Sequence, residues 1–172
     1  SLKILRSEKQ PFYAFLVTLT SHYPYNFPEL PDRGELPLGD LKGSLLGDYL
    51  RFIHYTDRQL GAFLEGMRAC GLLDRSVVVL YGDHTAIPSA NKAELGAFLK
   101  EDMADPLAWR AQQTIPLMVR VPGAKARGIK EISTGQMDIA PTVASLLGAR
   151  LPVTFGQDLL EASSGRVAFR NG

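Results

Sequence analysis

The sequence VVVLYGDH at residues 77–84 decides the fold. Its β-branched, apolar run at 77–81 is typical of a buried strand, and Gly82 ends that run before a carboxylate and an imidazole. Side chains at the carboxyl end of a strand lie where α/β proteins place their ligand sites. Asp83 and His84 are therefore predicted to hold a divalent metal ion.

An Asp-His pair is also found in ordinary exposed turns, and that alternative stays open for the dipeptide alone. The strand before the pair and the glycine favour a metal site, because glycine lets the backbone turn sharply or approach a ligand. An oxygen and a nitrogen donor suit Mn or Zn, with Mg as a third candidate, and disfavour an all-oxygen calcium cage. Since a divalent ion takes four or more donors, further ligands are expected from elsewhere.

His22 follows another apolar stretch, 12–20, which is predicted to be a strand buried on both faces. If the strands run parallel, His22 lies at the same sheet edge as Asp83 and His84, where an imidazole could contact an anionic substrate group. The alternative is a histidine packed among the tyrosines of its own loop. The remaining histidine, His54, is predicted to be structural or exposed in a helix.

The other elements follow from hydrophobic spacing and from glycine and proline positions. A long amphipathic helix is predicted over 41–70, with a break near Gly47 and Gly71 as its left-handed cap. The sequence also predicts a proline-rich loop to residue 40, a short helix at 91–103 ended by Asp105-Pro106, a strand at 115–121, a helix from its cap Asp138 to Leu147 ended by Gly148, and a candidate strand at 167–169.

This order of elements predicts an α/β fold, a layered, largely parallel or mixed sheet flanked by helices. With 172 residues, of which 45% are hydrophobic and 22% charged, the chain is long enough for one domain with a core. A net charge of +1 gives no indication of nucleic-acid binding, and a single cysteine excludes an intrachain disulfide. The chain contains no apolar run of membrane-spanning length and is expected to be soluble as it stands.

Six motifs follow one another along the chain. They are SHYPY (21–25), a helix at 49–64 that contains YTD (55–57), VVVLYGDH (77–84), IPLMV (115–119) with PG (122–123), GQMDIAPT (135–142) and FGQDLL (155–160). In this order they resemble the carboxyl-terminal half of a sulfatase-type domain of the alkaline phosphatase superfamily. Within that superfamily they are most similar to lipoteichoic acid synthases and related phosphoglycerol transferases.

The resemblance implies that Asp83 and His84 are the paired ligands of one divalent metal ion and that His22 contacts the substrate phosphate. Thr85 stands where relatives often have glycine or tyrosine, a difference that could alter the pocket wall. The family's threonine or serine nucleophile and a further acidic metal ligand lie upstream and have no counterpart here. Residues 1–172 are therefore expected to be the carboxyl-terminal part of one catalytic domain, inactive by itself.

For the parent protein the resemblance implies a metal-dependent phosphoglycerol transferase, or a hydrolase of phosphate or sulfate esters. The favoured substrate is a phosphoglycerol lipid, with sulfate esters and phosphoethanolamine as alternatives. The parent is expected to be anchored in the cell membrane with its catalytic domain outside the cytoplasm; its oligomeric state is left open. The competing hypothesis is a binding or scaffolding module that keeps the fold without catalysis.

Overall fold

A computed structural model describes residues 1–27, 36–125 and 127–167 of the chain. It divides into two compact units, Ser1–Pro122 and Gly123–Gly172. That both units belong to one catalytic domain stays a prediction. The helices and strands of the described residues are α1 (Leu2–Ser7), α2 (Leu45–Ala69), β1 (Val78–Tyr81), α3 (Lys92–Leu99), α4 (Pro106–Ala111), β2 (Leu117–Arg120) and α5 (Ile139–Leu146). The predicted proline-rich loop and the candidate strand at 167–169 lie partly outside these residues.

The long helix α2 confirms the amphipathic pattern and runs without the break predicted near Gly47. Glycine at position 47 instead allows a close contact, because a Cβ here would lie only 2.0 Å from the Leu41 carbonyl oxygen. At the other end Gly71 takes φ +71°, as predicted. The Gly71 amide donates to the Arg68 carbonyl and the Leu72 amide to the Met67 carbonyl, both at 3.0 Å, which is the Schellman arrangement.

The core of the first unit has two clusters, one at each end of α2. Near the carboxyl end, Leu5 of α1 packs with Met67, Leu72 and Leu73. Near the amino end, α2 packs against α3 and its neighbourhood, and this cluster contains Leu46, Leu95 and Met103. Burying both ends in this way holds α2 in place as the support for the loops described below.

The prediction that Asp105-Pro106 ends the short helix at 91–103 is wrong, because α3 already ends at Leu99. The pair begins a new one: the Asp105 carboxylate accepts a hydrogen bond from the Leu107 amide at 2.9 Å, and Pro106 occupies the first turn. Proline is tolerated there because its missing N–H would have no partner within the helix. Asp105 and Pro106 therefore begin α4, whereas α3 ends earlier, at Leu99, with Lys100 as its C-cap.

The strands β1 and β2 fall within the two predicted apolar runs, but they pair with each other antiparallel. In register, Val78 lies opposite Arg120 and Tyr81 opposite Leu117. The prediction of a buried strand at 12–20 is wrong for the described residues, where this segment belongs to no sheet and its large side chains are exposed. An apolar, β-branched composition favours a strand, yet a strand also needs a partner, and neither β1 nor β2 supplies one.

The second unit is organised around Asp138, which is 3% exposed. Asp138 is the N-cap residue of α5, as predicted, but its carboxylate makes no bond to the amides of that helix. It accepts hydrogen bonds from the amides of Gly135 (2.8 Å) and Gln157 (2.9 Å). Thr142 of α5 donates to the Asp138 carbonyl at 2.6 Å and accepts from the Leu159 amide at 2.9 Å. Two of the sequence motifs, GQMDIAPT and FGQDLL, are thus fastened to each other.

Candidate functional site

The strand β1 carries Asp83 and His84 just beyond its end. The Gly82 amide donates to the Pro116 carbonyl at 3.1 Å, which extends the pairing with β2 by one step. A Cβ on Gly82 would lie 3.0 Å from the Cβ of Ile115, so this glycine allows the close approach of a neighbouring chain segment. Beyond it the side chains of Asp83 and His84 are 73% and 56% exposed.

The Asp83 carboxylate and the His84 ring lie side by side, and each makes a local hydrogen bond. The His84 amide donates to Asp83 Oδ1 at 3.0 Å, and His84 Nδ1 lies 2.8 Å from the Thr85 carbonyl oxygen. Because a carbonyl can only accept, Nδ1 carries the proton, and Nε2 of the neutral ring keeps a lone pair. Asp83 Oδ2 and His84 Nε2, the two atoms suited to a metal, lie 3.8 Å apart.

This pair fits the requirements of one divalent ion in donor chemistry and spacing. Two ligands at about 2.1 Å from a shared ion lie about 3.0–3.6 Å apart, slightly less than the observed separation. A carbonyl partner for the second ring nitrogen is a common way to orient a metal-binding histidine. Among the described residues, no group of three or more His, Cys, Asp or Glu side chains is placed to hold a metal.

His22 lies beside His84, as the sequence predicted, although parallel strands do not bring it there. The two ring centroids are 5.7 Å apart with an angle of 87° between the ring planes. His22 Nδ1 lies 2.6 Å from the Tyr23 carbonyl oxygen, so Nε2 is again the nitrogen with a free lone pair. His54 is partly buried in α2. The structure thus brings His22, Asp83 and His84 together in one place.

Tyr25 is a residue of this site that sequence reasoning missed. It is 1% exposed, and its hydroxyl donates to the carbonyl of Ala86 at 2.6 Å. Burial raises the pKa of the phenol above its ordinary 10.0, and the neighbouring Tyr49 and Tyr23 add to the shift. The clustering of three aromatic residues at 23–27 was visible in the sequence, but the bond to a residue 61 positions away was not.

Comparison with known proteins gives this arrangement a family. The sulfatase family model matches residues 1–149, which span both units. The chain belongs to the sulfatase family. Among curated sulfatase-family relatives, it is 37% identical to lipoteichoic acid synthase 1 of Bacillus subtilis over 181 aligned residues. It is 30% identical to lipoteichoic acid synthase of Staphylococcus aureus over 167 aligned residues.

The alignments cover 100% and 95% of this sulfatase-family chain but 27% and 25% of those two relatives, so the chain spans about a quarter of their length. The crystal structure of the lipoteichoic acid synthase LtaP from Listeria monocytogenes superposes with a TM-score of 0.71 at 33% identity. That match covers 85% of this chain and 36% of LtaP. It confirms the predicted α/β, alkaline phosphatase-like fold, of which the chain is a part. None of the described helices is long and apolar enough to cross a membrane.

Proposed function

We propose that the chain supplies part of the metal and phosphate site of a phosphoglycerol transferase similar to lipoteichoic acid synthases. The observation that carries the proposal is the 5.7 Å separation of the His22 and His84 rings, with the Asp83 carboxylate beside them. An anion-binding imidazole next to a carboxylate–imidazole pair is the combination that a metal-assisted reaction at a phosphate ester requires.

Each side chain has a distinct role in this proposal. Asp83 Oδ2 and His84 Nε2 would hold one divalent ion, Mn or Zn, with Mg as the third candidate. When bound, the ion would act as a Lewis acid on the ester and activate a hydroxyl nucleophile. His22, when its ring is protonated, would donate from Nε2 to the phosphate oxygens or give them that proton, while the Tyr23 carbonyl fixes the orientation of the ring.

The nucleophile and the remaining metal ligands would come from other parts of the longer protein. A threonine or serine hydroxyl would lose its proton and attack the phosphorus of the ester. The new bond to the enzyme would form as the bond to the ester's alcohol breaks, and that alcohol would leave with a proton. We favour a phosphoglycerol lipid as substrate because of the similarity to lipoteichoic acid synthases, and the same similarity supports a membrane-anchored parent with this site outside the cytoplasm. Phosphoethanolamine and sulfate esters are the alternatives that a substrate panel has to include.

The first test is Asp83→Ala in the longer protein. Removing a charged ligand should lower bound metal and phosphoglycerol transfer together, each by at least about tenfold. The measurements are metal content by mass spectrometry and turnover with phosphatidylglycerol vesicles, a phosphoethanolamine ester and an aryl sulfate.

Asp74→Ala is the matched control, since it removes an exposed carboxylate that lies 3.9 Å from Arg120, away from the proposed ligands. It should leave metal content and turnover unchanged. If Asp83→Ala retains its metal, Asp83 is not a ligand. If the unmodified protein also lacks turnover on all three substrates, the hypothesis of a binding module replaces the hypothesis of an enzyme.

A further inference from the structure

The loop that carries His22 and the loop that carries His84 are joined by a direct bond. The Tyr25 hydroxyl donates to the Ala86 carbonyl at 2.6 Å. Tyr25 follows His22 by three residues, and Ala86 follows His84 by two. A single hydrogen bond therefore links two segments that are distant in the sequence, each of which carries one of the two imidazoles.

On each side of this hydrogen bond, a backbone carbonyl orients an imidazole ring. His22 Nδ1 is bonded to the carbonyl of Tyr23, and His84 Nδ1 to the carbonyl of Thr85. Each imidazole is thus oriented by the backbone next to it, and the Tyr25–Ala86 bond fixes one stretch of backbone against the other. A shift of either loop would change the distance between the two rings.

The backbone of Tyr25 is held in a conformation that tyrosine rarely adopts. Its φ is +59°, in the left-handed region that favours glycine. Glycine would take this conformation without strain, but it would provide neither a ring nor a hydroxyl. The fold accepts the strain here because the Tyr25 side chain is buried and bonded.

The ring of Tyr25 is held from two sides. Its centroid lies 5.4 Å from that of Tyr49 on α2 and 6.0 Å from that of Tyr23, both in edge-to-face geometry. Since the raised pKa of Tyr25 keeps the phenol protonated at neutral pH, the hydroxyl is a constant donor. The bond is partly buried, which strengthens it by limiting competition from water.

We propose that Tyr25 is a positioning residue that sets the spacing between His22 and the Asp83–His84 pair by tying their loops together. The proposal rests on the proposed function of these three residues. Tyr25 does not touch substrate, because its side chain is 1% exposed and its hydroxyl is engaged by Ala86. It acts through the residues on either side of the link.

The test is Tyr25→Phe in the longer protein, which removes the hydroxyl and keeps the ring. Loss of one neutral hydrogen bond corresponds to roughly a threefold to tenfold effect. We expect kcat to fall and the Kd for Mn²⁺, followed by electron paramagnetic resonance, to rise by about that factor, while KM changes little. The control is Tyr49→Phe, which removes a hydroxyl from the same aromatic cluster and leaves the Tyr25–Ala86 bond in place.

Thermal unfolding of both variants separates positioning from stability. If Tyr25→Phe lowers Tm but leaves kcat and Mn²⁺ affinity at their original values, the hydroxyl is structural and the proposal fails. If both phenylalanine variants lower kcat equally, the cluster as a whole is responsible and the proposal fails as well. These outcomes are distinct from failure of the proposed function, in which Asp83→Ala retains its metal.

Discussion

At the scale of single residues, Lys100 has a strained backbone conformation outside the candidate site. It follows α3 with φ +59° and ψ +38°, the left-handed conformation in which helices usually place glycine. A side chain with a Cβ in this region costs roughly 1–2 kcal/mol relative to right-handed backbone. Lys100 is exposed, so no packing depends on its side chain.

Lys100→Gly is therefore expected to stabilise the chain. Relief of the strain, partly offset by the greater entropy of glycine in the unfolded state, should raise the free energy of unfolding by about 0.5–1 kcal/mol. Chemical denaturation measures this change directly. Lys100→Ala is the matched control because it removes the same charge and keeps the Cβ; an equal gain from alanine would contradict the explanation.

The residues of the candidate site differ in how far the sequence reveals them. Asp83 and His84 are adjacent and follow a recognisable strand, so local pattern alone identified them. The prediction that His22 lies near them assumed parallel strands. That assumption was wrong, although His22 does lie beside His84. The actual cause is the turn at 21–25 and the bond from Tyr25 to Ala86, a long-range contact that no local pattern contains.

At the scale of elements, the amino terminus of α2 is capped by a residue from another helix. Ser44 is the N-cap and accepts a hydrogen bond from the Gly47 amide at 3.1 Å. Glu94 of α3 accepts from the Leu46 amide at 3.0 Å and from Asn91 at 3.2 Å. A negative charge at this position also interacts favourably with the helix dipole. Glu94 therefore joins α2 and α3 at the point where one core cluster begins.

This cap makes stability depend on pH. Burial acts to raise the pKa of Glu94, but hydrogen bonds from Ser44, Leu46 and Asn91 outweigh it and leave the pKa below the ordinary 4.5. A depressed pKa in the folded state means that the ionised group contributes stability above pH 4.5, and that this contribution is lost as pH falls through the lowered value.

We expect Glu94→Gln to lower the free energy of unfolding at neutral pH, and the difference from the original chain to shrink as the pH falls below 4.5. Urea denaturation at a series of pH values measures both. Glu101→Gln, at an exposed position after the end of α3, is the control and should cost less at neutral pH. A difference for Glu94→Gln that stays constant down to acidic pH would contradict the role of its charge.

Elements were predictable where their cause is local. The helix α2 has a long amphipathic period and a glycine terminator, and both act within a few residues of each other. The direction of pairing between β1 and β2 was not predictable, because it depends on how the intervening 35 residues fold. Asp105-Pro106 shows a third case, in which the same two residues are equally suited to ending one helix and beginning another.

At the scale of the whole molecule, the described chain leaves apolar surface exposed at 12–19. Tyr13 is 85% exposed, Val17 61% and Leu19 65%. Contiguous apolar patches of this kind are uncommon on monomeric soluble domains. The segment has the composition of a strand but lacks a partner among the described residues, which is why composition alone misjudged its burial.

The 172-residue chain by itself should show no turnover and weak Mn²⁺ binding. Its described residues provide two metal donors in one place, fewer than the four or more that a divalent ion takes. Isothermal titration with Mn²⁺ and an assay with phosphatidylglycerol vesicles test this expectation. Sustained turnover by the purified chain, with no other polypeptide present, would contradict the dependence on residues outside it.

The bonds from His22 and His84 to the carbonyls of Tyr23 and Thr85 also restrict the movement of protons. A backbone carbonyl cannot pass a proton onward, so neither ring can exchange a proton through Nδ1. A histidine that relays protons must accept on one nitrogen and release from the other, and neither ring can do so here. In the proposed function, a proton that His22 gives to the substrate would therefore have to be replaced through the same nitrogen, Nε2.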